Sequence, residues 1–300
     1  MVHEEALLAR GLTGIRAKGR DYALLLKPNL SFMVVFTSVI GYLMAPGIHF
    51  GWAQVLVLFT GGILVTGGAN TINQILERKG DALMKRTAVR PLPGGRMTVA
   101  EAWILAAGCG VAGALMLGLF FNPLTGLLSF TSLLLYAFAY TPMKRVHPIA
   151  VFIGAIPGAL PPLLGWVAAT GSFGVGGFVL FLVQFFWQFP HYWAIAWVGY
   201  DEYQKAGISM LPTQEKESRF TAMQCVFYSA MLIPLAIMSG ELHLVGGTGM
   251  TVSMLAALGY IIACIVFYQK NDLKSAKRVM FASFFYLPAV MIAMLADKVV

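Results

Sequence analysis

Stretches of about 20 predominantly apolar residues recur along this chain, and no other feature constrains its fold as strongly. Nine can be drawn, covering roughly 25–46, 52–76, 99–119, 123–141, 148–169, 174–198, 220–240, 245–269 and 277–296. A helix of that length crosses the hydrocarbon of a bilayer and satisfies its own backbone there, which an irregular chain cannot do. Charged residues make up 11% of the 300, against about 25% in a soluble domain. The expected fold is therefore all-α, a polytopic integral membrane protein with nine transmembrane helices. No linker-like polar stretch divides the chain, so residues 1–300 read as a single membrane-embedded domain, with 1–24 as its N-terminal tail.

The gaps between the spans alternate sharply in charge. The first segment carries Arg10, Arg16, Lys18, Arg20 and Lys27, and the gaps after spans two, four, six and eight carry nearly all the other cations. Together they hold 20 of the 21 Lys and Arg, and only Lys298 falls on the opposite side. The positive-inside rule places the N-terminus and these loops in the cytoplasm. The other loops are short and nearly uncharged, so any chemistry belongs to the basic side. The N-terminus lacks the pattern of a secretory signal, and Glu4 and Glu5 argue against a mitochondrial transit peptide. Cys109, Cys225 and Cys264 each lie in an apolar segment without metal-type spacing and read as small core residues. The net charge of +8 is a matter of topology and does not point to nucleic acid.

Within this apolar chain, residues 73–96 (NQILERKGDALMKRTAVRPLPGGR) stand apart. Asn73, Glu77 and Asp81 are spaced i, i+4, i+8, which on a helix stacks three oxygen-bearing side chains along one face, drifting by roughly 40° per step. Hard cations such as Mg²⁺ take oxygen ligands, often one or two carboxylates plus substrate phosphates. Arg78, Lys79, Lys85, Arg86, Arg90 and Arg96 follow or interleave, and arginine grips phosphate bidentately. Acids that hold a metal beside cations that hold a polyanion suggest a metal–diphosphate site. The plainer alternative is a basic loop that only sets topology.

The gap after span six is the other loop long enough to build a site. It opens on Asp201 and Glu202, with Tyr203 and Lys205 close behind. Acids from two facing loops could hold metal ions bridged by one diphosphate; an ordinary solvated loop is the alternative. Span six contains FFWQFPHYWAIAW, with His191 inside it. A polar residue in a membrane span is a functional candidate by default. His191 could contact haem iron, carry a proton or bond a neighbouring helix. The surrounding aromatics could shield a carbocation or form an interfacial belt. His147, beside Lys144 and Arg145, could help hold a phosphate or face headgroups; His3, His49 and His243 carry no argument. Gly154 and Gly158 allow close helix approach, and Pro157, Pro161 and Pro162 are expected to kink span five.

Asn73-xxx-Glu77-xxx-Asp81 followed by MKRTAVRPLPGGR resembles the first motif of the membrane-embedded prenyltransferases of the 4-hydroxybenzoate polyprenyltransferase (UbiA) superfamily. The MKRT..RPLP block, YTPMKRVHPIAVFIGAIPGALPPLLGW, WQFPHYWAIAW and DEYQKAGISMLP are similar to its haem-farnesylating branch, the haem O synthases. The similarity spans roughly residues 25–298. It implies nine helices around a central cavity open laterally to lipid, in a bacterial inner membrane. It implies Mg²⁺-dependent transfer of farnesyl from farnesyl diphosphate to a vinyl group of haem B, giving haem O for haem-copper oxidases. By position, Asn73, Glu77, Asp81 and Asp201 are the implied metal ligands, with Glu202 in the second acid set. Lys85, Arg86, Arg90, Lys144, Arg145 and Lys205 are the implied diphosphate contacts, and His191 and Tyr203 the candidates for haem or acceptor contact. Haem A synthase or oxidase assembly factors are the expected protein partners. Two positions depart from the usual pattern: Glu77 stands where Asp is commoner, and Lys205 occupies the place of a second-motif acid. A prenyltransferase with another aromatic acceptor is the nearer alternative, and an organic-anion transporter the more remote one.

Overall fold

The computed structural model describes residues 14, 16–48, 50–213, 215–216 and 218–299. Readings that concern His3, Glu4, Glu5, Arg10 and His49 fall outside them. The apolar segments are all helical. In chain order the helices are α1 (Arg16–Leu26), α2 (Pro28–Met44), α3 (Trp52–Asp81), α4 (Val99–Phe120) and α5 (Pro123–Leu134). A π-helical turn, Leu135–Tyr140, leads into α6 (Thr141–Met143) and then α7 (Ala150–Thr170). Next come α8 (Val175–Val198), α9 (Tyr200–Lys205), α10 (Arg219–Ala230), α11 (Leu232–Glu241), α12 (Gly247–Lys270) and α13 (Leu273–Ala296). Among the described residues, seven spans are long and apolar enough to cross a membrane, or eight if the α1–α2 pair, bent by 47°, counts as one. The expected count of nine includes α8, which has the length but not the hydropathy. Its two glutamines, His191, Tyr192 and three tryptophans lower the average, and most of them have partners inside the bundle.

The helices pack as two groups. Helices α2–α5 and α7 enclose one apolar core around Leu58, Ile72, Leu117 and Leu133. Helices α8 and α10–α13 enclose a larger one around Phe189, Tyr260, Phe267 and Met291. α7 lies between them, against both α2 and α8. Its contact with α2 is backbone on backbone: a Cβ added to Gly165 would lie 1.8 Å from the Ser38 carbonyl oxygen, and one on Gly41 2.0 Å from that of Pro162. Only glycine permits that approach.

The three prolines of α7 do not end it; the helix runs unbroken through them. Each proline removes one i→i−4 bond and frees a carbonyl. Two of the freed carbonyls dock neighbouring helices. Ser132 Oγ donates to Pro157 O at 3.3 Å and Gln184 Nε2 to Gly158 O at 2.7 Å, while Gln188 Nε2 reaches Ala155 O at 2.7 Å. The prolines thus turn α7 into a polar seam that fixes α5 and α8 around it.

At the opposite face, Lys298 donates to Leu43 O at 2.8 Å and Ala45 O at 2.6 Å. The one cation away from the basic loops is occupied in capping the end of α2. Cys225 and Cys264 are buried, Cys109 is half-buried, and all three are free thiols.

Candidate active site

The i, i+4, i+8 register of Asn73, Glu77 and Asp81 survives as the last turns of α3, and all three side chains are buried. The chain delivers a partner to each. The π-helical turn places Thr141, whose Oγ1 donates to Tyr136 O at 2.9 Å and accepts from Asn73 Nδ2 at 3.1 Å. Lys144, just beyond α6, is itself buried and forms an ion pair with Glu77. Arg90 Nη1 donates to Asp81 Oδ2 at 2.7 Å. The loop between them is held in turns, with Thr87 Oγ1 donating to Asp81 O at 2.8 Å and Gly94 N to Arg90 O at 2.9 Å.

A third cation completes the cluster, and the sequence reading counted it only as a topology charge. Lys27 sits at the break between α1 and α2, in left-handed backbone with φ 49°. Pro28 follows, and proline keeps the preceding residue out of the right-handed helical region. Gln74 Nε2 takes up the Leu25 carbonyl there at 2.8 Å. The turn aims the Lys27 ammonium at Asn73 Oδ1, 3.5 Å away, within electrostatic reach of Glu77, Asp81, Arg90 and Lys144. Non-glycine residues hold positive φ mainly where function or tertiary contact demands it. Three cations therefore face two carboxylates. An anion restores that balance.

The donor set fits a hard cation. Asp81 Oδ1 is buried with no hydrogen-bond partner among the described residues, and the Glu77 carboxylate lies within electrostatic reach of it. A buried carboxylate oxygen left without a partner is costly unless something binds it. No group of three His, Cys, Asp or Glu side chains forms a ready metal cluster among the described residues, so phosphate oxygens would have to complete the shell.

Tyrosines form the apolar-side wall. Lys144 Nζ lies 4.7 Å from the centre of the Tyr140 ring. Tyr136, Tyr140 and Tyr192 are close enough to Lys144 or Glu77 to interact electrostatically, and Tyr203 reaches Tyr140 in the same way. Of these the sequence alone points to Tyr203, as an acceptor contact, and to Tyr192, among the aromatics of span six that could shield a carbocation. Tyr136 and Tyr140 needed the π-turn.

The second acid set takes a different position. Glu202 accepts from the Lys85 backbone N–H at 2.7 Å and from Lys205 Nζ at 2.7 Å. Those two donors hold its carboxyl below the usual glutamate range. The Asp201 side chain is 80% exposed, 3.7 Å from Lys216 Nζ. Lys205 is spent on Glu202 in this state. Lys85 and Arg86 present exposed side chains at the rim, and Arg145 lies over Gly80, its guanidinium 2.9 Å from where a Cβ there would sit. Ser209 N donates to Lys144 O at 2.8 Å, so the three loops are joined. Arg96 pairs with Asp21 at 3.0 Å, and Lys18 with Glu101 at 3.0 Å, fastening α1 to the same face. His147 is exposed and bonds the Ile149 backbone N–H. His191 lies against α13, its Nδ1 2.7 Å from Ser283 Oγ.

A family model described as the UbiA prenyltransferase family matches residues 34–287. A curated protein of Cytophaga hutchinsonii named protoheme IX farnesyltransferase is 43% identical, over 93% of this chain and 97% of its own. One of the same name from Christiangramia forsetii is 42% identical over 93% of each. Among solved structures, that of a digeranylgeranylglyceryl phosphate synthase superposes with a TM-score of 0.79 at 19% identity, covering 94% of this chain and 98% of its own. That of a UbiA homologue from Archaeoglobus fulgidus, bound to DMAPP and Mg²⁺, superposes with a TM-score of 0.68 at 15% identity, covering 91% and 99%.

Proposed function

The chain belongs to the UbiA prenyltransferase family, and on that premise we propose that it transfers farnesyl from farnesyl diphosphate to a vinyl group of haem B, yielding haem O and diphosphate. The 43% identity to a protoheme IX farnesyltransferase, over 93% of this chain and 97% of the relative, is the observation that carries the acceptor. The cluster of two buried acids and three cations supports the chemistry.

The diphosphate meets Lys27, Arg90 and Lys144 from inside the cluster and Lys85, Arg86 and Arg145 from the rim. Mg²⁺, held by Asn73, Glu77 and Asp81, would neutralise charge on the departing diphosphate and so favour its release. Holding it would require Glu77 and Asp81 to give up Lys144 and Arg90, which would leave those two cations free for phosphate. Asp201 and Glu202 stand as a second acid set at the rim. The C1–O bond breaks to leave an allylic cation, which the Tyr136, Tyr140 and Tyr192 faces stabilise. The terminal vinyl carbon of haem attacks C1. Water adds to the resulting cation beside the ring and loses a proton, leaving a hydroxyethylfarnesyl substituent. The balance is haem B, farnesyl diphosphate and water to haem O and diphosphate. The apolar surroundings keep water from the allylic cation until the carbon–carbon bond has formed. We place the protein in a bacterial inner membrane with the basic loops in the cytoplasm, where it would hand its product to a haem-processing partner.

The test is turnover by the purified protein in detergent, with farnesyl diphosphate, haem B and Mg²⁺, products read by mass spectrometry and EDTA as control. A Mg²⁺-dependent hydroxyfarnesyl adduct of haem is expected. Diphosphate release only with an added aromatic acid would move the acceptor and keep the family.

A further inference from the structure

The turn between α1 and α2 leaves carbonyls without helical donors. Pro28 has no N–H to offer Leu24 O, and Leu30 N donates to Lys27 O at 3.0 Å instead of to Leu26 O. The chain changes direction by 47° there. Leu25, inside the turn, is fully buried. A carbonyl left unserved in such a place is costly.

Three side chains, all buried, supply the missing donors. Gln74 Nε2 donates to Leu25 O at 2.8 Å and reaches Leu24 O at 3.4 Å. Ser31 Oγ donates to Leu26 O at 3.0 Å, and Asn70 Nδ2 to Ser31 Oγ at 3.4 Å. Only the nitrogen of the Gln74 amide can face two carbonyls, so its Oε1 is turned away from them. That oxygen is buried with no hydrogen-bond partner among the described residues. A buried, unpaired acceptor is unfavourable, and here it belongs to the side chain that holds the turn.

Gln74 and Asn73 are neighbours on α3, about 100° apart around the helix. Asn73 Oδ1 faces the Lys27 ammonium at 3.5 Å, while Gln74 grips the backbone two residues before Lys27. One turn of α3 thus fixes Lys27 from both ends. Lys27 keeps φ 49°, a conformation that a non-glycine residue retains only where its surroundings enforce it. Without the Gln74 amide, the Leu24 and Leu25 carbonyls must seek other donors, and the turn that aims the ammonium at the acid cluster relaxes. We propose that Gln74 is a positioning residue for the reaction. It fixes the α1–α2 turn in the geometry that sends Lys27 to the diphosphate, and it acts on substrate only through Lys27. This rests on the function proposed above and adds the residue that sets one of its contacts.

The test is a double-mutant cycle on the full-length protein in detergent, built from Lys27→Met and Gln74→Met. Calorimetry reads the binding of farnesyl diphosphate with Mg²⁺, haem O formation gives KM and kcat, and haem B binding reports that each variant folds. Gln74→Met should weaken farnesyl diphosphate binding about tenfold, as the loss of one contact to a charged group would. It should raise the KM for farnesyl diphosphate and leave that for haem B unchanged. In the Lys27→Met background the same substitution should alter neither binding nor KM. Ser31→Ala should show the same dependence on Lys27, and it takes the place of Gln74→Met if that variant does not fold. Unchanged affinity in a folded Gln74→Met, the same loss with and without Lys27, or unchanged affinity in Lys27→Met overturns the inference and leaves the function standing. No haem O from wild type overturns the function, while the cycle, read on farnesyl diphosphate binding, still decides the role of Gln74.

Discussion

The two acid sets lie at one end of the bundle but in different physical states. Asp81 is 1% exposed, while the Asp201 side chain is 80% exposed. The first set sits on the last turns of a 30-residue helix and receives partners from three other segments. The second sits on a single short turn of helix, paired mainly within its own loop. Burial makes each charge in the first set depend on its partner, because an unpaired charge there costs several kcal/mol. Water screens the second set, so its pairs contribute little and can be exchanged. Under the proposed function, the buried set would hold the metal–diphosphate and the rim set would admit and release it.

The sharpest way to break this contrast is Asp81→Ala against Asp201→Ala in the haem O assay. Turnover should fall about 10³-fold in the first, with haem affinity kept, and about tenfold in the second. Equal losses would mean that Asp201 moves into the buried set when substrate binds. Next in size is stability. Lys144→Met leaves Glu77 buried and unpaired, which should cost about 3–5 kcal/mol in detergent unfolding. Adding Glu77→Leu should recover most of it, and no recovery would show that Lys144 is held by something other than Glu77.

A pH dependence separates the sets further. Lys205 and the Lys85 N–H hold the Glu202 carboxyl below its ordinary value of 4.5. Its folded pKa is depressed, so the link between the two loops is complete above about pH 4.5 and fades as pH falls through the lower folded value. Limited proteolysis of the 199–218 loop should accelerate below that point in wild type, and Glu202→Gln should be equally labile at neutral pH. The smallest effect belongs to Asp201→Asn, at most about 1 kcal/mol, reduced further by salt. A larger value would mean that the Lys216 pair is less solvated than its exposure indicates.

Much of this was legible before any coordinates. The nine apolar stretches are all helical, and the one excluded by hydropathy, α8, is the one whose polar side chains have partners inside the bundle. Asn73, Glu77 and Asp81 could be read from spacing, because i+4 neighbours on a helix are set by its pitch. Lys27, Tyr136 and Tyr140 could not. Lys27 meets Asn73 46 residues away, and Thr141 meets it across 68. The expected kink in α7 missed its consequence, which was a set of docking points for Ser132 and Gln184.

By itself the sequence determined which segments enter the bilayer, which loops share a face and which side chains stack along α3. These follow from local hydrophobicity, charge and helical period, which need no knowledge of neighbours. Only the tertiary structure decided that Lys144 answers Glu77, that Arg90 answers Asp81, that Lys27 turns inward and that His191 meets Ser283 of α13. Those pairings join residues remote in the chain. Burial makes them strong, and burial is a property of the assembled bundle.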